Sequence, residues 1–371
     1  MKTGLKLNWV GPWIPQENLG QWKAASPAAM KWQKHLVNAL IARGVEVNWM
    51  FYRPDPYWPR GRLFPWRTDR KGLIPPIRNS TELPYVNLLR LREFSLSRAC
   101  TRRITKAPQQ KQLIVSYNSP EWLKDSLLQL SDDIEICWIS IVADCLASEG
   151  ADGYVFLSHG YCERFSDTIP KMHLDGGIYP IHNGGTENVH AARCGKTKFM
   201  YSGSLGKWGG ILTLLDALDK IDSDDFNVVI SGPGITPKIY NRIKADKRVT
   251  FLGVLEENEL SSAYASADVF LNPRPTRISG GENNFPSKLL DYLGWGKPII
   301  STWTDGLAPE YRHVLNVVDD NAESVAAEMM RLMHSRSDHL RPMEWASRFN
   351  KTWDQQSARL LQFVTHSCLS G

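Results

Sequence analysis

Short apolar runs alternate with helical patterns along most of the chain. Near the beginning, residues 5–10 predict a strand, and Ser26 followed by Pro27 marks the start of a helix whose apolar positions share one face. Gly44 is the expected end of that helix, and residues 45–51 predict a second strand. Strand, helix and strand in this order predict the opening of a Rossmann-like domain with a parallel sheet.

The middle of the first half is less regular. Residues 53–84 are rich in proline and arginine and show no clear period, which predicts a long loop or a mobile insertion. A strand over 113–117, a helix near 120–130 and strands near 136–142 and 153–157 then continue the α/β series.

A second α/β series follows residues 183–197, which are polar, contain glycine and predict a linker. Its strands are predicted near 198–202, 227–231, 249–252, 268–272, 298–301 and 314–318, and its helices near 210–221, 237–245, 257–265, 287–295 and 321–334. The tail over 342–365 is also predicted to be helical. We therefore predict an N-terminal Rossmann-like domain over 1–185, a second one over 186–345, and a C-terminal helical segment over 346–371.

Composition fits a folded protein with two cores. The chain has 371 residues, of which 42% are hydrophobic and 22% are charged, so nothing suggests general disorder. No leader-like segment or apolar run of about 18 residues is visible. The six cysteines contain no C-x-x-C pair, so neither a zinc site nor a disulfide framework is expected, and a reduced cytoplasmic setting fits best.

The net charge of +5 arises from the first 190 residues. Residues 53–111 alone contain 14 basic and 4 acidic side chains, interrupted by aromatic residues. This excess predicts either a solvated basic face or a surface for anionic lipid or a pyrophosphate-bearing acceptor. Peripheral contact with the inner membrane face is one consequence to test. Nucleic acid is not an expected partner, because no recognition motif accompanies the charge.

Residues 198–211 run from a predicted strand through a glycine-rich loop into a predicted helix. Gly203 and the glycines after it let the backbone approach a ligand closely, and a helix start offers unbonded N–H groups to an anion. Ser204 and Lys207 add a hydroxyl and a cation. The alternative interpretation is an ordinary tight turn, since the segment is neither a dinucleotide fingerprint nor a Walker loop.

A second informative segment covers 283–298. Pro286 and Ser287 mark a helix start, which places Lys288 in the first turn, where a cation opposes the helix dipole. That placement favours a bound anion, and Asp291, one turn later, can accept hydrogen bonds from a ribose diol. The alternative is a surface helix on which Lys288 and Asp291 form an ion pair.

These segments and three others occur in a specific order. They are Tyr201–Gly210, Val228–Gly234, Val249–Gly253, Tyr264–Pro273 and Phe285–Pro298. Together they resemble the donor domain of retaining GT-B glycosyltransferases of the GT4 family, also called glycosyl transferases group 1. The resemblance covers about 140 residues. It implies a GT-B architecture, in which two Rossmann-like domains face each other across a cleft and the C-terminal helix crosses back to the N-terminal domain.

The resemblance also implies roles for the donor site. Gly203, Ser204 and Lys207 correspond to the loop that holds the donor diphosphate, although the family usually has arginine where Ser204 stands. Lys288 can supply that missing charge. The backbone around Leu252 corresponds to a contact with the base.

The family's pair of acids, spaced by seven residues, falls on Asn283 and Asp291. Asp291 is the implied ribose ligand, with Ser287 and Lys288 on the same helix start. Asn283 replaces the first acid, and Glu282 stands one residue earlier. The side-chain amide of Asn283 would then make the contact with a hydroxyl of the donor sugar.

The implied mechanism needs no metal or other cofactor, because cations and N–H groups neutralise the diphosphate leaving group. The N-terminal domain is expected to bind the acceptor. Its candidate residues follow predicted strands: Asn118, Asp144 and His159 for catalysis, and Gly11 for close approach of the first loop.

The leading hypothesis is therefore transfer of a sugar, with retention of configuration, from a nucleoside-diphosphate sugar to a glycan or lipid-linked glycan. Two alternatives stay open. One is an epimerase or hydrolase acting on a nucleotide sugar, and the other is a catalytically degenerate GT-B protein that only binds nucleotide or glycan.

Overall fold

In the computed structural model, the chain forms two compact units. The first contains Met1–Leu157, Tyr161–Gly176 and Trp353–Gly371, and the second contains Ser158–Gly160 and Gly177–Thr352. The structure describes residues 4–14, 22, 24, 26–67, 77, 79–106, 111–130, 134–143, 145–179, 195–276, 284–334 and 341–369. The predicted linker, and with it the predicted boundary after residue 185, falls mostly outside these residues.

The first unit is built on a parallel sheet of seven strands in the order β3-β2-β1-β4-β5-β6-β7. The strands are β1 (Lys6–Pro12), β2 (Glu46–Tyr52), β3 (Ser80–Glu82), β4 (Lys111–Tyr117), β5 (Glu135–Val142), β6 (Gly153–Phe156) and β7 (Lys171–His173). The central strands β4 and β5 are buried along almost their whole length and are mainly apolar, as expected of a parallel sheet covered on both faces. This confirms the predicted Rossmann-like domain.

Four helices accompany this sheet: α1 (Pro27–Ala42), α2 (Leu91–Ile104), α3 (Glu121–Leu130) and α4 (His159–Arg164). The start of α1 is confirmed, because the Ser26 side chain accepts a hydrogen bond from the Ala29 N–H. The sequence did not reveal α2. Its buried positions are confined to Leu96, Cys100 and Ile104, and a single narrow stripe among arginines and serines gives a weak pattern.

The arginine-rich stretch predicted as a loop or mobile insertion contains the edge strand β3 and is tied to the unit by its cations. Arg53 is buried and its Nε lies 2.8 Å from Glu82 Oε1. The Arg62 guanidinium lies 4.0 Å from the ring centroid of Trp22. Part of the local basic excess is therefore used in packing, through ion pairing and cation–π contact.

The second unit contains a parallel sheet of six strands in the order β10-β9-β8-β11-β12-β13. The strands are β8 (Thr197–Ser202), β9 (Phe226–Ser231), β10 (Val249–Phe251), β11 (Val269–Asn272), β12 (Ile299–Thr302) and β13 (Asn316–Val318). The helices are α5 (Ile211–Leu218), α6 (Pro237–Ala245), α7 (Glu257–Ser266), α8 (Lys288–Gly294) and α9 (Ala322–His334). Every strand and helix predicted for this half is present, so the second Rossmann-like domain is confirmed.

The tail forms two helices, α10 (Pro342–Arg348) and α11 (Trp353–Leu369), instead of one continuous helical segment. Asn350 between them has a left-handed φ of 58°, which interrupts the helix. The return of α11 to the N-terminal unit is confirmed. The Arg43 guanidinium, just after α1, lies 2.6 Å from the Asp354 carboxylate, and Trp32 packs against Trp353.

A disulfide joins Cys137 in β5 to Cys368 in α11, with a Cα–Cα distance of 5.6 Å. The expectation that the cysteines form no disulfide is therefore wrong. The two residues are 231 positions apart, and only the packing of α11 on the first unit brings them together, so no spacing rule could reveal the pair. Within the described part of the chain, no helix is long and apolar enough to cross a membrane.

Candidate functional site

The candidate site lies at the carboxyl edge of the second sheet, where ligands bind in open α/β sheets. Loops leave this edge after β8, β9 and β11, and the first turn of α8 meets them there. Four segments that are far apart in sequence thereby contribute to one surface.

The loop after β8 lies directly against the loop after β9. The Gly203 N–H donates to the Ser231 carbonyl (3.0 Å), and the Leu205 N–H donates to the Pro233 carbonyl (2.8 Å). Gly232 has a φ of +143°, and a Cβ there would lie 1.8 Å from the Gly203 carbonyl oxygen. Glycine is required at position 232 both for its backbone conformation and for this close approach.

Tyr201, near the end of β8, fixes the shape of the glycine-rich loop. Its hydroxyl lies 2.6 Å from the Ser204 carbonyl oxygen and 2.8 Å from that of Gly209. The side chain is fully buried, and burial raises the pKa of its hydroxyl far above the usual range. Tyr201 therefore acts as a neutral hydrogen-bond donor that holds both ends of the loop.

Lys288, the first residue of α8, lies over this loop. Its Nζ is 4.3 Å from the centroid of the Tyr201 ring, and a Cβ on Gly203 would be 3.7 Å from the same Nζ. Burial, together with the positive charge of Arg274, lowers the pKa of Lys288 to about 7. Among the described residues no carboxylate forms an ion pair with Lys288, so the alternative pair with Asp291 is not observed.

Arg274 supplies a second cation that the sequence analysis missed. It follows β11, and its Nε is buried without a hydrogen-bond partner among the described residues. Burial lowers the pKa of its guanidinium, which is partly offset by Tyr201. Arg274 lowers the pKa of Lys288, and the Lys288 ammonium lies beside the Gly203 backbone, so this pair of cations favours an anion. The available sequence signal was the position of Arg274 just after a predicted strand, at the edge where ligands bind.

The other predicted diphosphate residues lie on the same loop. Ser204 is exposed, and its hydroxyl accepts a hydrogen bond from the Gly206 N–H (3.2 Å). Lys207 is exposed too, with its Nζ 4.6 Å from the ring centroid of the neighbouring Trp208. Of the predicted cations, Lys288 is therefore the one placed over Gly203.

The predicted base and ribose residues lie on neighbouring segments. Leu252, after β10, is 42% exposed, and its N–H donates to the Ile230 carbonyl (2.9 Å). Its N–H is therefore already bonded to the neighbouring strand. Ser287 precedes α8 without capping it through its side chain, and Asp291 is half-buried in the first turn. Asn283 lies outside the described residues.

Two of the predicted acceptor residues, Asn118 and His159, form hydrogen bonds with the backbone of their own unit. Asn118 has a left-handed φ of 48°, and its Oδ1 accepts a hydrogen bond from the Ala143 N–H (2.8 Å). His159 begins α4, and its N–H donates to the Gly306 carbonyl (3.1 Å). Asp144 lies outside the described residues.

Gly11 has a packing role that the sequence did not indicate. A Cβ at this position in β1 would lie 2.1 Å from the Gln33 Oε1. That oxygen accepts a hydrogen bond from the Trp9 Nε1 (3.0 Å). The missing side chain therefore makes room for a buried polar contact between β1 and α1.

No group of three or more histidine, cysteine, aspartate or glutamate side chains in the described ranges is arranged to hold a metal ion. The charged groups that define the candidate site are the two cations.

Comparisons with known proteins agree with this description. Residues 196–335 match the model of the family described as glycosyl transferases group 1. A glycosyltransferase from Rickettsia africae has 11% identity and a TM-score of 0.70, with 98% of this chain and 99% of that one covered. Sucrose-phosphate synthase from Thermosynechococcus elongatus has 15% identity and a TM-score of 0.65, with 99% and 100% covered.

A lipopolysaccharide outer core galactosyltransferase has 11% identity and a TM-score of 0.67, with 98% of this chain and 99% of that one covered. No curated protein sequence matches the chain. At these identities the structural likeness establishes the fold, which is that of GT-B glycosyltransferases. The family match over the second unit supports sugar transfer.

Proposed function

We propose that this GT-B chain is a glycosyltransferase of the GT4 type that transfers a sugar from a nucleoside-diphosphate sugar to a glycan or a lipid-linked glycan. One observation supports this more than any other. The Lys288 ammonium lies beside the Gly203 backbone, the Arg274 guanidinium is close enough to lower its pKa, and no carboxylate among the described residues forms an ion pair with either cation. A diphosphate is the group of a nucleotide sugar that fits this arrangement.

The same cations explain how the leaving group is stabilised. When the bond between the anomeric carbon and the phosphate oxygen breaks, negative charge develops on the diphosphate. Fixed cations in a half-buried site stabilise that charge without having to reorganise. We propose on this basis that the transfer needs no metal ion, and no cofactor beyond the donor itself.

The remaining donor contacts follow from the positions around the cluster. Ser204 and Lys207 lie on the loop that faces the diphosphate, and Ser287 lies at the start of α8. Asp291 accepts hydrogen bonds from the ribose hydroxyls, and the Leu252 carbonyl meets the base. Asn283 hydrogen-bonds a hydroxyl of the donor sugar.

We assign acceptor binding to the N-terminal half, with Asn118, Asp144 and His159 near the reacting hydroxyl and Gly11 near the carboxyl end of β1. The acceptor hydroxyl attacks from the face that the diphosphate leaves, so the new bond keeps the anomeric configuration. The proton of that hydroxyl passes to the leaving phosphate oxygen. Peripheral contact with anionic lipid agrees with the excess of basic residues between 53 and 111.

The proposal is tested by following nucleotide sugars by proton NMR. UDP-, GDP-, ADP- and TDP-sugars are each incubated with the full chain in EDTA, with and without a panel of glycans and lipid-linked glycans. We expect one donor to be consumed, and the anomeric proton of the product to show the same configuration as the donor. The Lys288→Ala variant should slow this reaction at least about a hundredfold, the range found when a charge-stabilising donor is removed.

The same spectra distinguish the alternatives. Conversion of the donor to an epimer, or its hydrolysis at equal rate with and without acceptors, would identify an epimerase or hydrolase. Nucleotide binding without consumption of any donor across the whole panel would identify a degenerate binding protein.

A further inference from the structure

The first unit carries an exposed apolar cluster at the start of α2. Its members, here called the apolar tip, are exposed by 52% at Trp58, 73% at Leu89, 47% at Leu91 and 62% at Phe94. Single exposed apolar side chains are ordinary in soluble proteins, whereas a cluster of large ones marks a contact surface.

The apolar tip is held in place by contacts beneath it. The Arg92 guanidinium stacks on the Tyr57 ring at 3.7 Å from the centroid, and the Trp58 N–H donates to the Asn87 carbonyl (3.1 Å). These contacts fasten the loop that carries Trp58 to the segment that leads into α2. Because these contacts order the backbone beneath them, the exposed apolar side chains of the tip lie on a fixed surface.

The exposed face of α2 changes from apolar to basic along the helix. Leu91, Phe94, Arg98 and Arg102 are spaced by three or four residues, so they share one face. The buried stripe of Leu96, Cys100 and Ile104 lies on the opposite side. Phe94 and Arg102 are separated by about 12 Å along the helix axis.

Several arginines around the tip are unpaired among the described residues. Arg60, Arg90, Arg98, Arg102 and Arg103 are all exposed, and none forms an ion pair with another described side chain. The nearby acid, Glu93, accepts a hydrogen bond from the Tyr57 hydroxyl (3.4 Å). The local charge is thus strongly positive, and it surrounds the apolar tip.

We infer that this face is a docking surface for an anionic lipid bilayer, with the apolar tip inserted into the interface and the arginines on the lipid phosphates. Apolar side chains at one end and basic side chains around them match the depth profile of a bilayer surface. A stable protein interface needs about 20–30 residues on each side, whereas the tip has four large apolar side chains. Docking of this kind does not depend on the sugar-transfer proposal, because it uses different residues.

Vesicle sedimentation of the full chain tests the inference. The vesicles are phosphatidylcholine alone, or phosphatidylcholine with about 30% phosphatidylglycerol, at low and high salt. We expect binding to the anionic vesicles that high salt weakens. Each basic residue near an anionic surface contributes about 1 kcal/mol, or about fivefold in partitioning, so Arg98→Glu with Arg102→Glu should reduce binding at least about 25-fold.

The double variant Leu89→Ser and Phe94→Ser tests the contribution of the apolar tip to vesicle binding. It should weaken binding at high salt as well as at low salt. Matched controls are Lys238→Glu with Lys244→Glu on α6, and Leu146→Ser, which is 84% exposed in the wild type. The altered side chains are exposed, so the melting temperature should stay unchanged in every variant.

Three results would overturn the inference. The first is no binding to anionic vesicles at low salt. The second is binding that the control variants reduce as much as the α2 variants do. The third is a concentration-dependent dimer, seen by analytical ultracentrifugation, that the Leu89→Ser and Phe94→Ser pair abolishes, because a second copy of the chain would then cover the tip.

Discussion

Lys288 is a half-buried lysine placed beside a second cation, a situation that costs stability unless an anion joins it. Arg274 makes the same local environment more positive, and Tyr201 contributes a ring and a fixed hydroxyl beneath both. At the scale of single residues, this arrangement of charges favours a negatively charged ligand.

A pH titration tests this charge balance. Because the pKa of Lys288 is lowered to about 7, the free site loses this charge as the pH rises through 7. A bound diphosphate favours the protonated form, so nucleotide affinity should fall between pH 7 and pH 9, by up to about tenfold per unit. The measurement is the dissociation constant of the tightest-binding nucleoside diphosphate by isothermal titration calorimetry.

Lys288→Arg is the control for this titration. Arginine stays protonated throughout this range, so the variant should bind nucleotide with nearly constant affinity from pH 7 to pH 9. An unchanged slope in the variant would show that another group titrates.

Tyr201→Phe tests whether the hydroxyl positions the loop. The change keeps the ring under Lys288 but removes the hydrogen bonds to the Ser204 and Gly209 carbonyls. Leaving these partly buried acceptors without the hydroxyl should lower the free energy of unfolding by about 1 kcal/mol, as measured by urea denaturation. Unchanged stability together with unchanged nucleotide affinity would contradict a role of the Tyr201 hydroxyl in positioning the loop.

At the scale of elements, the strands and helices of the second unit could be predicted from the sequence because their signals are local. Apolar strands, the Thr236–Pro237 start of α6 and the glycine-rich turn after β8 each depend on neighbouring residues. Arg274 and α2 were missed for a different reason. Their roles depend on contacts between segments far apart in sequence, or on a stripe of three buried side chains.

Because two loops pack closely at the edge of the second sheet, we expect two glycine substitutions to lower the free energy of unfolding by different amounts. Gly232→Ala places a Cβ 1.8 Å from the Gly203 carbonyl, whereas a Cβ on Gly296, also in a left-handed conformation, meets nothing within 4 Å. Gly296→Ala should therefore cost only about 1–2 kcal/mol for the backbone conformation.

Gly232→Ala should cost more than Gly296→Ala in thermal unfolding, and it should also displace the loop that carries Gly203. The nucleotide dissociation constant of each variant checks the second point. Equal melting temperatures in the two variants would contradict the close approach of the two loops.

At the scale of the whole molecule, the chain leaves its first unit, forms the second, and returns through α11. The resemblance to the family implied this return, and the packing of α11 on α1 confirms it. The disulfide could not be predicted, because it depends on the position of the last helix against β5.

The disulfide gives a prediction for the oxidised protein. Mass spectrometry of a non-reduced digest should find the peptides of Cys137 and Cys368 joined. Cys368→Ser should then lower the free energy of unfolding by about 2–5 kcal/mol, while Cys145→Ser, at an exposed cysteine outside the disulfide, should leave it nearly unchanged. Free thiols at both positions in protein purified without reductant would contradict the pairing.

The central claim is that Lys288 and Arg274 bind the diphosphate of a nucleotide sugar without a metal ion. The most direct measurement is calorimetric titration of UDP, GDP, ADP and TDP in EDTA into the wild type, Lys288→Ala, Arg274→Ala and the surface control Lys238→Ala. We predict that one nucleotide binds the wild type and the control, and that each site variant weakens it at least about tenfold while folding at least as stably as the free wild type. Binding that both site variants retain, or that requires magnesium, would contradict the account.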